Sequence, residues 1–276
     1  TWNNAATVDQ TGASRVTLAN NAVINNQATR TWNLSSGDAT PITGAGTFNN
    51  AGIFNNSGAT AHSLSSTAFN NSGQVNVTAG TLTLNGASAA DSGDIAVSGG
   101  ATVQFNASRT LTTGADITGS GAVKLSGGTL TVNDGYAIAA TGTTTIDGGT
   151  LSLNTAAPTV TFANPLTLSG GALGGSDDIV TNGLTASGGT LSGAGTLTSN
   201  GTSAITGLVS LDTRTWNNAG TVDQTGASRV TLANNAVINN QATRTWNLSS
   251  SDATPITGTG TFNNAGTFNN SGAAHT

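Results

Sequence analysis

Apolar and polar residues alternate along this chain in short bursts. TLTL at 81–84, AVKL at 122–125, TLTV at 129–132 and TLSL at 150–153 each place every second side chain on one face. That is the period of a half-buried β-strand. The bursts are separated by NG, GG, AG, SG or DG pairs. Glycine gives such tight corners their backbone freedom.

Taken in threes, the bursts predict successive turns of a coil. RVTL closes the first turn, and AFNN, QVNV and TLTL form the fourth. Then come DIAV, ATVQF and RTLTT; DITGSG, AVKL and TLTV; YAIAATG, TTTI and TLSL. PTVTF, LTL and GAL follow, then DIVT, LTA and TLS, then TLTS, SAIT and LVSL. Ten turns fill 214 residues, so 214/10 gives about 21 residues per turn. The fold expected is an all-β parallel solenoid with three short strands per rung. An antiparallel β-sandwich array is the alternative.

Stacked rungs lie ~4.8 Å apart, so equivalent positions form columns. The first strands supply an inward column of Trp2, Ile24, Phe48, Phe69, Ile95, Ile117, Ile138, Val160, Ile179 and Leu197. The second strands supply Val75, Val103, Val123, Leu166, Leu184 and Ile205. The third supply Val16, Leu82, Leu111, Leu130, Leu151, Leu173, Leu191 and Val209. A lone rung cannot offset its own ordering entropy, so rung-on-rung stacking must supply the stability. One column is polar: Asn3, Asn25, Asn49 and Asn70, each followed by Asn4, Asn26, Asn50 and Asn71. Stacked amides donate and accept along an axis, which predicts a ladder. A corner brace is the preferred role, and a ligand-binding face the alternative.

A longer repeat encloses the short one. Residues 1–59 recur at 215–273 with four differences: Ala6/Gly220, Gly37/Ser251, Ala45/Thr259 and Ile53/Thr267. The organisation expected is one complete unit, 1–214, and the opening of the next, 215–276. This reads as a window on a tandem array that continues without a hinge. Separate chains would stack head to tail.

Composition narrows the function. The 276 residues include 50 Thr, 38 Gly, 32 Asn and 27 Ser, with no Cys, Met or Glu. Charged residues are 7%, against about 25% in an ordinary domain. The net charge of −5 offers no basic surplus to neutralise phosphates, which excludes electrostatic nucleic-acid binding. Zero Cys excludes a disulfide scaffold and thiolate metal sites. No apolar run approaches the ~18 residues of a membrane span.

The TLTL-type runs, the GG, NG and SG corners, and stretches such as SGGTLSGAGTLTSNGT resemble large bacterial repeat exoproteins of the filamentous-haemagglutinin and autotransporter-passenger β-helix type. The resemblance covers the whole chain and is one of repeat style. It implies a right-handed β-helix, secretion to the cell surface or beyond, and a role in adhesion or surface structure. The partners expected are the chain itself, through the open ends of the solenoid, and host-cell or surface carbohydrate.

Chemistry is sparse. A β-helix polysaccharide lyase or hydrolase would need carboxylates clustered with Arg or Lys along one groove. Asp177 and Asp178 are adjacent, Asp91 and Asp94 flank a corner, and Asp94 and Asp116 head equivalent strands of neighbouring rungs. The last pair is the calcium candidate; solvated corner aspartates are the preferred reading. Arg109 and Lys124 stand alone, and His62 and His275 fall in loosely patterned stretches. Thr81/Thr83, Thr110/Thr112, Thr129/Thr131 and Thr150/Ser152 would project outward as an array that could order water, as in ice-binding solenoids. Exposed strands also choose Thr for its β-branching. Trp2, Trp32, Trp216 and Trp246 read as core rather than sugar platforms. The expectation is a non-catalytic fibre or adhesin stalk without cofactor.

Overall fold

A computed structural model describes residues 1–139, 141–272 and 275. The described residues form short parallel strands joined by corners, with no helix. The chain is an all-β parallel solenoid with ~21-residue spacing. It divides into two compact units, Thr1–Gly142 and Thr143–Thr276. The sequence repeat boundary at 214/215 thus lies inside the second unit.

The first unit has three walls. The first wall holds Trp2–Asn4, Val23–Asn26, Thr47–Asn50 and Ala68–Asn71, paired in register as Trp2, Ile24, Phe48 and Phe69. The second holds Thr7–Gln10, Thr31–Leu34, Ile53–Asn56, Gln74–Val77, Asp94–Val97, Asp116–Gly119 and Gly135–Ile138. The third runs from Val16–Thr17 through Ile42–Thr43, Ala61–Ser65, Thr81–Leu84 and Thr102–Phe105 to residues 122–125. Burial alternates along nearly every strand, so the apolar face lines the inside.

A strand the pattern concealed changes the register. Ser88–Asp91, sequence SAAD, continues the first wall and pairs with Arg109–Leu111, which pairs with 130–132. The sequence-derived triplets skip it, so from DIAV onward each begins one wall late. Ile95 therefore stacks on Val75 rather than following Phe69. Leu82 stacks on Val103, not Leu111. Leu130 faces Arg109, and Leu111 faces Val132. Ile117 stacks on Tyr136 while Ile138 meets Gly119.

The second unit is built alike. One wall pairs Val160, Ile179, Leu197, Trp216, Ile238 and Phe262 in succession. Another pairs Leu151, Leu173 and Leu191, with Leu211, Leu232 and Gly258 beyond. The third pairs Leu166 with Leu184, and Ile205 then meets Ala186 rather than Leu184. The expected columns Val160–Ile179–Leu197, Leu151–Leu173–Leu191 and Leu166–Leu184 are observed, and only Ile205 and Val209 meet partners two residues away from those expected, Ala186 and Gly189.

Aromatic stacking fills the first rungs. Phe48 and Phe69 lie 5.5 Å apart, nearly parallel, with Trp32 and Phe54 edge-on against Phe48. Trp32, Trp216 and Trp246 are fully buried, whereas Trp2 is 45% exposed. Burying each such ring stabilises the coil by roughly 1.5–3 kcal/mol.

Candidate functional site

The polar column forms two amide ladders. On the inside, Asn4 Nδ2 donates to Asn26 Oδ1 at 2.8 Å, Asn26 to Asn50 at 2.7 Å, and Asn50 to Asn71 at 2.8 Å. All four are buried. The second Nδ2 hydrogen of each goes to a backbone carbonyl: Thr31, Ile53, Gln74 and Asp94. On the outside the polarity reverses. Asn70 donates to Asn49, Asn49 to Asn25, and Asn25 to Asn3, at 2.8–2.9 Å. The inner amides are held as part of the coil, since a buried amide left unbonded is costly.

A third ladder escapes the sequence reading. Asn76 donates to Asn55, Asn55 to Asn33, and Asn33 to the carboxylate of Asp9, at 2.7–2.8 Å. Its signal was the recurrence of Asn one strand downstream of the first column. The second copy repeats all three: Asn218 to Asn240 to Asn264, Asn263 to Asn239 to Asn217, and Asn269 to Asn247 to Asp223.

The inner ladder of the first unit ends at a buried ion pair. Arg109, which the sequence left isolated, pairs with Asp91, and both are buried. The Ala68–Asn71 strand has no backbone strand partner in Ser88–Asp91. Side chains stand in for the missing bonds. Arg109 Nη1 donates to the Phe69 carbonyl at 2.9 Å, and Nη2 to that of Gly86 at 3.1 Å. Asp91 Oδ1 accepts from Asn71 N at 2.7 Å and from the Ser88 hydroxyl at 2.8 Å.

The remaining candidates are braces. Asp94 Oδ1 accepts the Asp116 backbone N–H at 3.0 Å, so the two calcium candidates are neighbours in one column. Among the described residues no group of three or more His, Cys, Asp or Glu could hold a metal ion. A groove of about 380 Å³ runs beside them, along the Gly52, Gly73 and Gly93 corners, and Asp94 is the one carboxylate lining it. Asp177 accepts Thr155 N and Oγ1, both at 2.7 Å. Asp178 accepts Thr196 N at 2.7 Å and Oγ1 at 3.0 Å, and these bonds hold its carboxyl below the usual range.

Arg214 is fully buried and donates to four carbonyls: Ser192, Asp177, Thr196 and Gly175. Burial pushes its guanidinium down to about 10, partly offset by the charges of Asp178 and Asp177. It stays charged at neutral pH. His62 lies inside strand Ala61–Ser65, fully buried, with its ring nitrogens 2.6 Å from Asn56 Oδ1 and the Ser36 carbonyl. The Thr array does not assemble as expected. Thr81 and Thr83 pair with Thr102 and Gln104, and Thr110 with Thr131.

Comparison of the chain with protein families, with curated proteins and with solved structures finds no match.

Proposed function

We propose that this chain is a segment of a non-catalytic tandem-repeat fibre or adhesin stalk, carried at the cell surface or secreted, whose work is to extend length. One observation carries the reading: the two copies repeat the same rung-to-rung bracing, inside the coil and on its surface. Trp32 Nε1 donates to Gln10 Oε1 at 3.1 Å, and Gln10 Nε2 to the Pro41 carbonyl at 2.7 Å. The second copy has Trp246, Gln224 and Pro255 at 3.2 and 2.7 Å. The Arg15–Asp38 pair returns as Arg229–Asp252, 2.9 Å in each case. Repetition of braces favours a scaffold, because added rungs gain stability from their neighbours. Extracellular placement and a carbohydrate partner are supported by the resemblance of repeat style. Electron microscopy of a chain carrying several 214-residue copies tests the proposal. Unbranched filaments whose length grows with copy number are expected; compact particles of constant length overturn it.

A further inference from the structure

The sequence holds three Asn–Gly pairs: Asn85–Gly86, Asn182–Gly183 and Asn200–Gly201. Each can undergo one intrinsic reaction. The glycine nitrogen attacks the asparagine Cγ, an N–C bond forms, the Cγ–Nδ2 bond breaks, and ammonia leaves with the amide proton. Water then opens the succinimide at either carbonyl, giving Asp or isoaspartate. Glycine permits ring closure because it adds no side chain against the approaching Cγ. In a folded chain the rate depends on what must be undone first.

At Asn85 both ends of the amide are held. Its Nδ2 donates to the Ser63 hydroxyl, and its Oδ1 accepts from Asn106 at 2.8 Å. The Gly86 carbonyl is held by Arg109 Nη2 at 3.1 Å. At the Asn182 pair, Gly183 is buried at φ +118, and a Cβ there would lie 2.1 Å from the Thr202 carbonyl oxygen. The Asn182 amide itself lies over Gly201, its Oδ1 2.6 Å from where a Cβ would stand. Asn200 has neither restraint. Its side chain is exposed, as that of Asn182 is, and makes no hydrogen bond among the described residues, while Gly201 is only half-buried and lacks the positive φ of Gly183.

We infer that Asn200–Gly201 is a self-modifying site of the folded protein, converting to Asp and isoaspartate with water as co-reactant, while Asn85 and Asn182 are protected by the fold. An opening cost of about 1.4 kcal/mol slows a rate tenfold, so the two held sites should react at least tenfold more slowly. This inference does not rest on the fibre reading.

The test incubates the full chain in mildly alkaline buffer, folded and in urea. Peptide mass spectrometry with isoaspartate detection follows the three pairs, and each folded rate is divided by its own unfolded rate. The ratio should stay near one at Asn200 and fall tenfold or more at Asn85 and Asn182. The variant Asn200→Gln should abolish the main folded-state signal, since Gln would need a larger ring. Equal ratios at all three sites, or a ratio at Asn200 as low as at Asn85, would overturn the proposal.

Discussion

A residue's effect here depends on which face of its strand it occupies and on what stands above and below. Leu197 is fully buried between Ile179 and Trp216, with no cation in either neighbouring position. Leu197→Asp should therefore lose about 3–5 kcal/mol in urea unfolding, the cost of an unpaired buried carboxylate. Thr198→Asp, one residue on and facing out, should stay within about 0.5 kcal/mol. Equal losses would mean the face assignment is wrong. Leu130 is a poorer probe, because Arg109 beside it could compensate a new carboxylate.

The two Asn ladders allow the same contrast between chemically identical residues. Asn50→Ala strips an acceptor from Asn26 and a donor from Asn71, costing about 1–3 kcal/mol for each buried group left unbonded. Asn49→Ala, in the outer ladder, should change the unfolding midpoint little. If the outer substitution costs as much as the inner, the ladders do not differ in burial as described.

At the scale of the strand, the alternation was legible wherever β-branched and Leu residues marked it. TLTL, AVKL and TLSL announce themselves, and their buried and exposed faces follow the parity of the sequence. SAAD carries no β-branched residue, and its last position buries a carboxylate where alternation leads one to expect an apolar side chain. Period-two reasoning has no means to see it. That single strand set every later triplet one wall late and changed the partners of Leu82, Leu111 and Ile138, while pairs such as Ile95–Ile117, Val103–Val123 and Leu151–Leu173 stayed as expected. The Arg109–Asp91 pair was hidden for the same reason: the two are eighteen residues apart, and only the correct register brings them together.

The pair also makes a prediction for its strands. Arg109→Met leaves Asp91 buried and uncompensated and should cost about 3–5 kcal/mol by urea denaturation. Adding Asp91→Asn removes the orphaned charge, so the double variant should be more stable than Arg109→Met alone. A double variant with additive losses would show that the two charges do not act as a unit.

Across the whole molecule, few charges means few pH-dependent terms. The Asp38 carboxyl is held below its usual range first by the Arg15 hydrogen bond and next by the Thr40 backbone N–H. Asp252 is held down by the Thr254 N–H and then Arg229. A depressed carboxyl stabilises the fold above its unfolded pKa of about 3.9 and loses that contribution as pH falls through the folded value. The wild type should thus exceed the Asp38→Asn/Asp252→Asn variant by a small margin at pH ~7, and the margin should close below pH ~4. A margin that persists under strong acid would show that the carboxylate charge is not its source.

The step from Ala68–Asn71 to Ser88–Asp91 carries a mechanical consequence. In the wall they share, rungs elsewhere are stitched by rows of main-chain bonds, whereas here two side chains do part of the stitching. Under tension along the axis, a solenoid yields where fewest links bear the load together. Pulled from its ends, the first unit should tear at this seam before its other rungs separate. Whatever stands above it would come away as a block, with its own coils still wound.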